Sequence, residues 1–198
     1  MKKFTLTNET ITVAGKTLRR IKALRSFGNV KVGDLGAFVE KAENLSHEGL
    51  CWVSGNAQVF GNAKVYGNAE VYGNAEVYGN VAVFGNAKVF ENAKVSGNAA
   101  VYRNAEVYGN AAVYGNAAVY GNAEVYGNVA VSGNAKVFDN AWVSGNAAVY
   151  RNAEVYGNAA VYGNAAVYGN AEVYGNVAVF GDAKVSGNEK VSGNKRLH

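Results

Sequence analysis

The sequence contains no proline, a single cysteine (Cys51), two histidines (His47 and His198) and no threonine after Thr17. One cysteine excludes an intramolecular disulfide and gives no sign of an oxidising compartment. A reactive thiol is one reading of Cys51, and a small buried core residue is the plainer one. Nowhere do 18 apolar residues run together, and Met1-Lys2-Lys3 leads into Phe4-Thr5-Leu6-Thr7-Asn8-Glu9 rather than an apolar signal core. The expectation is a soluble, cytoplasmic chain with no membrane partner. Hydrophobic residues still make up 49% of the 198, too many for a disordered chain. Net charge is +4, and the excess sits wholly in residues 1–52, where nine Lys/Arg face five acids; residues 53–198 hold ten of each.

What is present is a repeat. Valine recurs at residue 53 and at every sixth residue to Val191, which gives 24 hexads without insertion or deletion, and Leu197 keeps the phase once more. A typical hexad is Val71-Tyr72-Gly73-Asn74-Ala75-Glu76. Ala-Glu-Val-Tyr alternates with period two, so a short strand with Ala and Val inward and Glu and Tyr outward is expected. Gly-Asn then closes each strand, because both residues tolerate the left-handed backbone of a sharp corner. Asn or Asp fills the second corner place in every hexad, whereas Glu91, Arg103, Asp139 and Arg151 replace the glycine. The stricter conformational demand is therefore expected on the asparagine.

The series Val-x-x-x-Ala-x resembles the hexapeptide-repeat proteins over residues 53–198. The resemblance implies an all-β fold, a left-handed parallel β-helix whose triangular coils each take three hexads and 18 residues; periodicity alone would not give the hand. About eight coils spaced ~4.8 Å apart make a prism on the order of 40 Å long. Burial of valine alone does not offset the entropy of ordering the repeats, so coil-to-coil hydrogen bonds and stacked like residues are required and stability is collective.

Residues 1–52 break the pattern and are read as a cap with a first irregular coil. Thr10 to Val13, Ala14-Gly15 and Lys16 to Ile21 form a hairpin signal, and Val39 and Leu45 stand six residues apart. Arg19, Arg20, Lys22 and Arg25 form a basic cluster that could hold a small anionic ligand or simply be solvated cap charge. At the other end Glu189 and Lys195 take the inward place of Ala or Val, which ends the core near residue 190 and discourages end-to-end polymerisation.

A larger period is superimposed. Residues 73–120 match 121–168 at 45 of 48 positions, differing only at Phe84/Ser132, Glu91/Asp139 and Lys94/Trp142. Eight hexads are not a multiple of three, so copies of one residue fall on different faces of a triangular prism, which argues against a ligand groove along one face. Of the three outward aromatic rows, two are interrupted by serines such as Ser96, Ser132 and Ser144. The third runs Tyr66, Phe84, Tyr102, Tyr120, Phe138, Tyr156 and Tyr174, either a partner-binding strip or a stabilising ladder. A row of Ala112, Ala130, Ala148 and Ala166 offers a smooth stripe on which a second prism could sit.

Enzymes of the resembled fold are acyltransferases with a catalytic histidine and projecting loops, or carbonic anhydrases with zinc on three histidines. Neither His47 nor His198 lies in a regular repeat and no loop is inserted, so no catalytic, metal or cofactor site is expected. The neutral body lacks the basic stripe of a nucleic-acid binder, the strongly acidic surface of a DNA mimic and the threonine rows of ice binding. What remains is a scaffold or protein-interaction module, expected to form a homo-oligomer or bind a protein partner, with sequestration of a small anionic ligand by the cap or between subunits as the alternative. The cap together with Gly-Asn-Ala-x-Val-Tyr repeats resembles uncharacterised bacterial and phage-encoded hexapeptide-repeat proteins whose transferase label describes the repeat. The near-identical units leave an engineered origin open.

Overall fold

A computed structural model describes residues 2–198. Each hexad contributes a strand of two to four residues centred on its valine, as in Glu124–Val125 and Ala118–Gly121. The chain turns sharply after each strand and pairs in parallel with the strand 18 residues on, so that Val107 stands beside Val125 and Val125 beside Val143. Three sheets of eleven, nine and eight strands result, wound as a triangular left-handed β-helix of about nine turns. The only helical segment among the described residues is the 3-10 turn Ala42–Asn44, and no helix is long and apolar enough to cross a membrane.

The alternation in the sequence sets the inside and outside. Every valine from Val53 to Val185 is buried, as are the alanines four places after them up to Ala171, while the intervening Glu, Lys, Ala and aromatic positions face outward. Only small and β-branched side chains fit three abreast inside such a narrow prism. Along the axis each coil hydrogen-bonds to the next, for example Tyr108 N–H to Val125 O at 3.0 Å and Glu124 N–H to Ala141 O at 3.0 Å.

The corner differs from expectation. The left-handed backbone falls on the glycine position, not on the asparagine: Gly121 has φ +77, and the non-glycine substitutes Glu91, Arg103, Asp139 and Arg151 carry φ of +58, +64, +60 and +65. A Cβ on Gly121 would lie 2.7 Å from the Asp139 backbone nitrogen, so a side chain at this place presses on the backbone of the next coil. Arg103 and Asp139 share a corner and are separated by Gly121. The asparagine is constrained instead by its side chain. Each Asn Nδ2 donates to the Oδ1 of the asparagine one coil on, and at the three corners these bonds form three continuous ladders of seven rungs with distances of 2.8–3.3 Å.

The ladders have a direction. An interior rung must both donate and accept, which Asn does and ionised Asp cannot. The single aspartate in the series, Asp182, stands at the last rung of its ladder, where it only accepts from Asn164 Nδ2 at 3.0 Å. At the opposite end the first acceptors are served from the cap, Asn62 Oδ1 by Lys41 Nζ at 3.2 Å and Asn68 Oδ1 by Leu50 N–H at 3.3 Å.

The cap begins with an antiparallel hairpin of β1 (Phe4–Val13) and β2 (Lys16–Ala23), turned by Ala14-Gly15 with φ of +48 and +75. β2 pairs with β3 (Leu35–Val39), and β3 pairs in parallel with the Gln58–Val59 strand, so the hairpin extends one sheet of the solenoid beyond the prism. Val39 and Leu45 take up the valine positions of a first coil, paired with Val59 and Val65 and fully buried. Ile21 reaches over Gly36, where a Cβ would come 2.5 Å from Ile21 Cγ1 and from Val53 O, and Phe4, Ile21 and Ala23 join the core from above. At the C-terminal end pairing continues past residue 190 to Arg196–Leu197, while Glu189 and Lys195 are exposed on the final coil. The last coil still finds backbone partners on one side, so it orders without an apolar residue at those two places.

Candidate functional surfaces

Outward side chains are arrayed by row. The Tyr66 row stacks without a break: successive rings from Tyr66 to Tyr174 have centroids 4.7–4.9 Å apart and lie within 7° of parallel. Their faces are spent on one another, and they present edges to solvent. Tyr66, at the open end of the stack, is 38% exposed.

The row containing Ser144 is not interrupted as its sequence suggests. Trp142, two residues earlier on the same face, lays its indole across the vacancy, 5.8 Å from Tyr126 on one side and 5.8 Å from Tyr162 on the other. Ser144 is buried beneath it, and the row runs Tyr72, Phe90, Tyr108, Tyr126, Trp142, Tyr162, Phe180, His198. Trp142 is one of the three departures between the 48-residue units, and sequence spacing alone hides its reach because it occupies the neighbouring outward position.

The remaining row is broken. Phe60 stacks on Tyr78 and Tyr150 on Tyr168, but Ser96 and Ser132 leave Tyr114 alone between them, 44% exposed. Beside this row Ala112, Ala130, Ala148 and Ala166 stand in register on adjacent strands, a stripe four coils long without charge.

Charged side chains on the faces pair between coils. Lys88 meets Glu106 at 3.0 Å on one sheet, and its copy 48 residues on, Lys136 with Glu154 at 2.9 Å, lies on another sheet. The same holds for Tyr108 Oη donating to Glu124 at 3.3 Å and Tyr156 Oη donating to Glu172 at 3.2 Å. The duplicated unit thus places its copies on different faces, as eight hexads require. Burial, followed by the adjacent Glu124 carboxylate, pushes the Tyr108 hydroxyl up to about 12; burial and the hydrogen bond to Glu172 push Tyr156 up to about 12.

The basic cluster of the cap is divided. Arg20 is held by Glu9 at 2.9 Å and by Gly36 O at 3.1 Å, with its guanidinium over the Phe38 ring at 4.6 Å. Arg25 lies over Phe27 at 6.0 Å, and Arg19 and Lys22 are exposed at separate positions of β2, opposite Thr10 and Thr5.

Two features of the cap have no sequence signal. Lys3 is fully buried, its ammonium 2.8 Å from Cys51 O, 3.1 Å from Cys51 Sγ and 3.4 Å from Glu48 O; burial lowers its pKa. Cys51 is accordingly a buried partner in this cluster. His47 accepts the Lys3 N–H on Nδ1 at 3.2 Å and packs on Phe4 with centroids 4.3 Å apart; burial, then the charge of Lys3, lowers its pKa. Glu40 clasps the hairpin to the coils, receiving Lys16 Nζ at 2.7 and 2.9 Å and Gly61 N–H at 2.6 Å, contacts that hold its carboxyl below the usual range. Beside the cap a cavity of about 310 Å³ is walled by the Phe27–Val30 turn and the start of one face.

Among the described residues no group of three or more His, Cys, Asp and Glu is placed to hold a metal ion. Compared with known proteins, the chain matches no family model, and a search of the curated proteins finds no match.

Proposed function

We propose that this chain is a non-catalytic, cytoplasmic scaffold of the hexapeptide-repeat kind that pairs with a second copy of itself through the alanine face. The observation that carries the reading is the comb beside the alanine stripe. Tyr114 stands alone between Ser96 and Ser132, and stacked rings along the Tyr66 row sit 4.7–4.9 Å apart. The vacancy over Ser132 lies one coil from Tyr114 and one from Tyr150, which is the room one further ring occupies. In a two-fold pair of antiparallel prisms, Tyr114 of each copy fills the Ser132 vacancy of the other, a self-complementary contact. The uncharged stripe lets the faces approach closely, and several coils must engage to reach the ~800 Å² per partner of a stable interface.

Light scattering tests the proposal. The intact chain is expected at twice its monomer mass, and a variant with both Ala130→Glu and Ala148→Glu at the monomer mass. A monomeric parent, or a dimer indifferent to those charges, refutes the assignment of this face.

A further inference from the structure

The tripeptide Trp-Val-Ser occurs twice in this chain, as Trp52-Val53-Ser54 and Trp142-Val143-Ser144, each followed by Gly-Asn and both on the nine-stranded sheet. In each case serine occupies the aromatic position of one row. At the second copy Trp142 folds over the serine and completes the stack between Tyr126 and Tyr162. At the first copy it does not. Trp52 is held in the cap by edge contacts to Phe27 at 5.4 Å and Phe4 at 6.5 Å and is almost wholly buried. The place over Ser54, one coil before Tyr72 in the same row, is open, and there the cavity of about 310 Å³ lies.

The walls specify what fits. Phe27, Val30, Leu50 and Trp52 supply apolar surface, with Leu50 48% exposed, while Asn29, Ser54 and Glu70 supply polar groups. Asn68 also lines the cavity, but its amide is committed to the corner ladder, accepting from Leu50 N–H and donating to Asn86. Glu70 is the one ionisable side chain of the lining and takes part in no ion pair among the described residues; Lys88, its neighbour one coil on, is engaged with Glu106. Pockets of this size with apolar walls and a few convergent polar groups are where small ligands bind.

We propose that this cavity is a binding site for a planar bicyclic aromatic amine of indole size, whose ring takes the place over Ser54 that Trp142 fills over Ser144 and whose ammonium meets Glu70. Glu70 excludes an anion of the same shape. The site is independent of the alanine face, so either assignment can fail without the other.

Isothermal titration of the full chain with tryptamine, indole and indole-3-acetate tests it. Tryptamine is expected to bind saturably at one site, tighter than indole by about fivefold, the upper range of a solvent-exposed ion pair, with indole-3-acetate weakest. Ser54→Tyr installs the residue this row carries at Tyr72 and should abolish binding, whereas Ser192→Tyr, at the same outward place near the far end of the prism, should leave it unchanged. Glu70→Gln, at an exposed position where folding is not at stake, should bring tryptamine to the affinity of indole. Absence of saturable binding at millimolar ligand, equal binding by indole-3-acetate, indifference to Glu70→Gln, or retention of binding in folded Ser54→Tyr overturns the proposal.

Discussion

Replacing Asn122 by Asp probes the direction of the corner ladders. Asn122 accepts from Asn104 Nδ2 at 2.9 Å and donates to Asn140 Oδ1 at 3.0 Å, near the middle of its ladder. Ionised aspartate keeps the first bond but loses the second, worth ~1 kcal/mol net. It also sets a carboxylate against the Asn140 carbonyl oxygen. The corner is solvated, so that repulsion adds less than it would in a core, about 0.5–1 kcal/mol, and the total cost is about 1.5–2 kcal/mol. The reverse change at the end of a ladder, Asp182→Asn, loses no donor and should stay within about 0.5 kcal/mol of the parent. Urea denaturation followed by circular dichroism gives both values. The Asn122→Asp deficit should shrink as pH falls through ~4, because the protonated carboxyl regains a hydrogen to donate. A deficit that is the same at both rungs, or unchanged by pH, refutes the view that donation along the ladder is what selects asparagine.

Val119→Asp should cost 4 kcal/mol or more (roughly, for an unpaired buried charge), since Val119 has no exposed surface, while Ala118→Asp, on the outward face, should be nearly neutral; equal denaturation midpoints would reverse the inward and outward assignment. Gly121→Ala should destabilise by about 2–4 kcal/mol, combining a left-handed residue with a Cβ pressed on the next coil, whereas Arg103→Gly at the same corner should change stability by less than about 1 kcal/mol; comparable losses would mean that the Cβ contact with the next coil is not what limits this place. In alkaline titration read by tyrosinate absorbance, Tyr108 and Tyr156 should ionise last, near 12, and Tyr156→Phe should remove one late step. Since their folded values lie above the ordinary ~10 of tyrosine, their contribution is intact below pH ~10 and lost as pH rises toward about 12; stability flat across that window would contradict the assignment.

The sequence by itself determined the solenoid. An unbroken six-residue spacing of valine with alanine four places on admits one placement of inside and outside, because strand side chains alternate with period two and a narrow prism takes only small or β-branched residues. The hairpin turn at Ala14-Gly15 and the first-coil places of Val39 and Leu45 were legible for the same local reasons. Other features are set by residues that meet only when coils stack, 16 to 20 positions apart. Asparagine at the corner reads as a turn former, but its necessity comes from the amide one coil away, and the left-handed backbone belongs to the glycine before it. Trp142 reads as a lone substitution for lysine, yet in three dimensions it mends the row that Ser144 breaks. The buried ammonium of Lys3, the clasp of Glu40 and the cavity over Ser54 join residues from opposite ends of the cap segment or from cap and coil. Local pattern encodes which way each side chain points; only the stacking of coils decides what it meets there, since hydrogen bonds and ring contacts depend on distances that no periodicity in one strand contains.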